Sequence, residues 1–176
     1  MDETQAPTPL DQKQASLFLA ISNLNQRAKA GANNFHWIAG LSVVNSLISA
    51  FGGGITFVIG LGLTQVVDAF AGLFAKEFVE STLIFKITGL ILSILISGVF
   101  VFFGLFAGKQ QRWAFITGMI LYGLDAIILL YFQDWIGFFF HLYFLWGLWN
   151  GLQALNQLHK LSPSTQVITA FPKDIG

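Results

Sequence analysis

The sequence predicts an all-α integral membrane protein: a four-helix transmembrane bundle with a cytoplasmic amphipathic N-terminal helix and a membrane-associated segment between spans 1 and 2. Three observations carry that prediction. Of 176 residues, 55% are hydrophobic and 10% charged, whereas a soluble domain of this size carries about 25% charged residues. Four segments approach the roughly 20 apolar residues that a helix needs to cross a hydrocarbon core about 30 Å thick: residues 35–51, the shortest, then 83–107, 113–132 and 136–155. The last three are joined by "GKQQR" and "QDW", turns so short that their helices must be antiparallel neighbours.

Taken in order, residues 1–12, "MDETQAPTPLDQ", are polar and hold two prolines, as a disordered tail does. Residues 13–34 place Leu17, Ile21, Leu24 and Ala28 at helical spacing, with Lys13, Arg27 and Lys29 around them. This is an amphipathic cytoplasmic helix leading into the first span. The transmembrane bundle then occupies 35–160, with Trp37, Trp113 and Trp135 near span ends, where amphipathic rings favour the headgroup level. Residues 161–176 read as a flexible C-terminal tail. The first apolar run begins near Phe35, too late for a cleavable signal peptide, so the first span is expected to act as an uncleaved anchor.

Residues 52–82 are apolar enough to cross, yet they open on three glycines and carry Gln65 and Asp68. Charge decides between crossing and returning. If this stretch does not cross and the N-terminus is cytoplasmic, Lys13, Arg27, Lys29, Lys109, Arg112, Lys160 and Lys173 lie inside, and only Lys76 and Lys86 outside. If it crosses, the nine cations divide almost evenly. Cytoplasmic loops carry the Lys/Arg excess. The expectation is therefore four spans in the plasma (inner) membrane, both termini cytoplasmic, with 52–82 an in-plane or re-entrant segment.

Composition also excludes partners and chemistries. A formal net charge of zero provides no basic field for nucleic acid. The absence of cysteine removes disulfides, thiol nucleophiles and Cys-ligated metals. Neither a cofactor nor a metal is expected. The expected partners are the lipid bilayer and either another membrane protein or a second copy of this chain. Gly89, Ser93, Ser97, Gly104 and Gly108 in the second span, with Ser42, Ser46 and Ala50 in the first, form small-residue faces suited to close helix contact.

An ionisable residue inside a span is a functional candidate by default, since its insertion costs about 2.5–3.5 kcal/mol or more. Asp125 lies about seven residues from the outer end of its span, and Gly118, Tyr122 and Leu129 share its face. His141 and Asn45 fall at similar depth on neighbouring spans. Asn45, Asp125 and His141 are thus expected to converge beneath the segment that holds Gln65 and Asp68. A carboxylate beside an imidazole can hold a proton or a cation, so Asn45, Gln65, Asp68, Tyr122, Asp125 and His141 form the candidate site. The simpler reading is a hydrogen bond that clamps two helices. Asp134 is expected to cap the last span.

Enzymatic motifs are missing: no HExxH, no phosphate-binding glycine loop and no nucleophile elbow. Ser97 precedes a glycine, as the serine of rhomboid proteases does, but the earlier glycine of that motif is missing. The leading expectation is a non-enzymatic transporter, channel-like subunit or scaffold. The alternative is an intramembrane enzyme acting at the outer leaflet, with Asp125 and His141 as its acid–base pair.

Overall fold

The computed structural model describes residues 8–51 and 60–169, with side chains through Leu161. Five helices follow in order: α1 (Pro9–Ala50), α2 (Gly62–Glu77), α3 (Thr82–Gly108), α4 (Arg112–Tyr131) and α5 (Trp135–Thr169). A single 3-10 turn, Val79–Ser81, joins α2 to α3. There is no strand among the described residues.

Residues 1–7 of the expected tail lie outside the described residues; the rest of it, the amphipathic helix over 13–34 and the span over 35–51 are not three units. From Pro9 onward they form one helix of 42 residues. No proline interrupts the chain between Pro9 and Phe51, so nothing stops the helix once it has started. It starts at Thr8 through a capping box. The Asp11 N–H donates to Thr8 Oγ1 at 3.2 Å, and the Thr8 N–H donates to Asp11 Oδ2 at 3.1 Å. Pro9 sits in the first turn, where its missing N–H does no harm. At 1.5 Å per residue α1 is about 63 Å long, twice a hydrocarbon core. The last helix likewise overruns its expected end at 155 and continues to Thr169, into the stretch expected as tail.

The turns between α3 and α4 and between α4 and α5 share one device. The Gln111 N–H donates to the Phe106 carbonyl and the Gln110 N–H to that of Ala107. One turn later in the fold, the Asp134 N–H donates to Leu129 and the Gln133 N–H to Leu130. Both are Schellman closures, with Gln110 (φ 62°) and Gln133 (φ 58°) in the left-handed position that glycine usually fills. They fold α3, α4 and α5 into an antiparallel run, as the short turns predict.

Small residues decide how closely the helices approach. A Cβ on Gly31 would overlap the backbone of Gly151, so α1 and α5 cross in near backbone contact. Gly118 of α4 lies under the Phe35 ring and Gly104 of α3 under His36. Phe35 is fully buried and touches Phe100, Phe103 and Phe115, with ring centroids 6.1–6.5 Å apart. The small-residue face of α3 therefore holds α1 at Gly104 and α2 at Gly89, which meets Ala71. Gly108 has open space beside it.

α2 runs antiparallel to α3. Ala71 lies on Gly89, Ser93 Oγ donates to Asp68 at 2.9 Å, and Thr82 Oγ1 donates to the Ala75 carbonyl at 2.7 Å. Its first residues sit deep in the bundle. Gly60 lies against Ser42, and the Leu61 N–H donates to Ser42 Oγ at 2.7 Å. Ser42 is about 13 Å along the helix axis from the end of α1. The chain leaves α1 at Phe51, is next described level with Ser42, and returns through α2 towards the start of α3.

Among the described residues, two stretches are long and apolar enough to cross a membrane: Val79–Gly108, with mean hydropathy 2.6, and Arg112–Tyr131, with 1.9. In α1 and α5 the apolar run is diluted by Asn33, Asn34, His36 and Asn45, and by His141 and Asn150.

Candidate functional site: a buried carboxylate at a helix N-terminus

A helix begins with backbone N–H groups that have no partner within the helix. In α2 the residue at the capping position is Leu61, whose side chain has nothing to offer them. The partners come from other helices. Asp125 of α4 accepts the Gly62 N–H on Oδ2 at 2.7 Å and the Leu63 N–H on Oδ1 at 2.8 Å. The Leu61 N–H goes to Ser42 of α1. A carboxylate at this end also meets the positive pole of the helix dipole.

Asp125 Oδ2 has one further neighbour, His141 Nε2 of α5, at 2.8 Å. Both side chains are buried. The other ring nitrogen of His141, Nδ1, lies 2.9 Å from the Gly137 carbonyl oxygen. A carbonyl only accepts, so Nδ1 carries a hydrogen. Nε2 then faces Asp125 either as a second N–H or as an acceptor from a protonated carboxyl. Two backbone N–H donors already point at the carboxyl group, one to each oxygen. In either form one proton lies between the imidazole and the carboxyl group. The Tyr122 ring stacks on the imidazole at 4.2 Å between centroids and 17° between planes.

No family model, curated protein or solved structure matches this chain. The site has to be read from its own geometry.

Of the residues the sequence singles out, Asp125, His141 and Tyr122 meet directly. Gly118, Tyr122, Asp125 and Leu129 do share the buried face of α4. Asn45 does not join them by a hydrogen bond; it is buried on α1 with Oδ1 unpaired among the described residues. Asp68 belongs to a separate junction, where Ser46 Oγ of α1 donates at 2.6 Å and Ser93 Oγ of α3 at 2.9 Å. Gln65 lies one turn into α2 beside a cavity, and its Nε2 is buried without a partner among the described residues. Asp134 caps α5 as expected, accepting the Gly137 N–H at 3.0 Å. His36 is half-buried against Gly104.

Sequence reading missed the backbone half of the site: the N–H groups of Gly62 and Leu63, the Gly137 carbonyl and the Ser42 hydroxyl. No signal was available: the amphipathic run reads as starting at Gln65, where Thr64 offers a cap of its own.

Among the described residues no cluster of three or more His, Asp or Glu could hold a metal ion. The cavity beside α2 has a volume of about 330 Å³ and is lined by Gly62, Leu129 and Asp134 among others, but by neither Asp125 nor His141.

Proposed function

We propose that this chain is a non-enzymatic, multi-pass membrane protein of transporter or channel-like type, in which Asp125 and His141 form a buried proton-holding site. In this reading α1, α3, α4 and α5 cross the bilayer, both termini are cytoplasmic, and α2 is re-entrant. The observation that carries the proposal is the position of the Asp125 carboxylate. It sits between the N-terminus of a helix that starts deep in the bundle and an imidazole that must share a proton with it. Broken helices whose N-termini face charged groups near mid-membrane are a recurrent feature of transport sites. Irregular backbone at that depth requires partners within the protein, and Ser42 and Asp125 provide them.

The enzymatic alternative has less behind it. Every hydrogen-bonding direction of His141, and both oxygens of Asp125, are already engaged. The pair is buried and does not line the cavity beside α2.

His141→Gln tests the proposal, because the amide keeps a donor towards Asp125 but carries no titratable proton. The purified protein is reconstituted in liposomes containing a pH-sensitive dye, and proton movement is followed under imposed pH and ion gradients. Wild type is expected to conduct or exchange protons and His141→Gln to lose at least about tenfold of that rate, as loss of a proton-transfer group does. Equal rates in the two proteins would remove the pair from any transport step. Absence of flux in wild type would leave a scaffold.

A further inference from the structure

Leu129 lies one turn beyond Asp125 on the buried face of α4 and is 2% exposed. Its two methyl groups reach different helices. A Cβ on Gly62 would come within 2.8 Å of Leu129 Cδ2, and one on Gly137 within 3.0 Å of Leu129 Cδ1. The side chain is therefore seated between two glycines, one at the start of α2 and one in the first turn of α5. These glycines carry the backbone groups that hold the buried pair. The Gly62 N–H donates to Asp125 Oδ2, and the Gly137 carbonyl accepts from His141 Nδ1. Leu129 thus lays hydrocarbon against the supports of both Asp125 and His141.

Leu129 also lines the cavity of about 330 Å³ beside α2. Gly62 belongs to the same wall, with Val66, Phe70, Leu73 and Phe132, whereas Asp125 and His141 do not. From Gly62 to Leu73 the cavity follows α2 for about 16 Å, at 1.5 Å per residue. In the re-entrant reading that course leads from the level of the pair towards the outer surface. Apolar constrictions gate by excluding water and open when water enters. Leu129 is held between the cavity and the pair by packing alone, and a leucine side chain has other staggered rotamers to move to.

We propose that Leu129 is the outer gate of the Asp125–His141 site. Seated between Gly62 and Gly137 it seals the pair; swung towards the cavity it admits water from the outer side. That water then gives a proton to the pair or takes one from it, with no other bond made or broken. This inference rests on the proton-holding reading above and adds to it the side from which the proton is exchanged.

The test uses the full chain in liposomes, as wild type, Leu129→Ala and Leu129→Met. Leu148→Ala is the control for lost packing, since Leu148 is fully buried and does not line the cavity. Amide hydrogen exchange over residues 61–66 is read first. Leu129→Ala should exchange there at least about tenfold faster than wild type, because a leucine-to-alanine deletion leaves part of its volume open. Leu129→Met, which refills that volume, and Leu148→Ala should stay near the wild-type value. Leu129→Val, a smaller deletion, should shift exchange in the same direction and decides if the alanine variant misfolds. Proton movement is then followed with an entrapped pH-sensitive dye. Leu129→Ala should raise the rate by a similar factor, and adding His141→Gln should remove the rise, which a general leak would survive. Exchange at 61–66 no faster in Leu129→Ala than in Leu148→Ala overturns the gate. So does a raised proton rate that persists with His141→Gln, or an unraised rate when wild type itself moves protons through His141. If neither wild type nor Leu129→Ala moves protons, the proton-holding reading fails and the gate fails with it.

Discussion

Asp125 caps a helix that begins 63 residues earlier in the chain, its carboxylate 2.7 Å from the Gly62 nitrogen. Together with the Leu61 N–H bond to Ser42 it holds the start of α2 within the bundle. Asp125→Asn leaves one acceptor oxygen and turns an amide NH2 against donors. The loss is expected to be about 3 kcal/mol, in the range for breaking a buried charge pair. Unfolding in detergent, with amide hydrogen exchange, checks this: Gly62 and Leu63 should lose protection before the core of α3 does.

The pair itself predicts a large coupling. In a double-mutant cycle of Asp125→Asn and His141→Gln, the interaction energy should be about 2 kcal/mol. Interhelical hydrogen bonds within membranes average about 0.6. The excess is expected because both members are buried and the aspartate also holds a helix terminus. A coupling near the average would reduce the contact to an ordinary clamp.

How much of this was legible beforehand depends on which atoms carry it. The helical class, the face bearing Tyr122, Asp125 and Leu129, and the cap at Asp134 follow from spacing and side-chain chemistry alone. The course of 52–82 was open between crossing, lying in plane and re-entering, because hydropathy measures apolarity and carries no direction. What settled its position in the bundle were Ser42 and Asp125 acting on backbone N–H groups, which have no residue-type signature. The merging of 13–34 with 35–51 was missed for a different reason. A change from charged to apolar faces marks a change of surroundings, not a break in the helix, and only proline or a cap would have broken it.

The crossing of α1 and α5 admits no side chain. Gly31→Ala would drive a methyl into the Gly151 backbone, which cannot move aside as a flexible side chain can. Overpacking of this kind costs about 1–3 kcal/mol, and thermal unfolding should show the drop. Gly40→Ala, on the same helix with open space beside it, should change little and serves as the control.

Gln110 and Gln133 hold left-handed backbone positions that disfavour side chains. Gln110→Gly and Gln133→Gly should each stabilise the fold by up to about 1 kcal/mol, read as a rise in melting temperature. The gain at Gln110 is reduced by the loss of its 3.2 Å hydrogen bond to Asn25.

The measurement that bears most directly on the four-span, re-entrant account uses the lack of cysteine. Single cysteines at Asn23, Val79 and Gln111, all exposed, are labelled with a membrane-impermeant maleimide in intact cells and after lysis. The account predicts that Asn23→Cys and Gln111→Cys behave alike, protected until lysis, and that Val79→Cys is labelled from outside. If Asn23→Cys instead sides with Val79→Cys, then either α1 does not cross or α2 does, and the account is wrong.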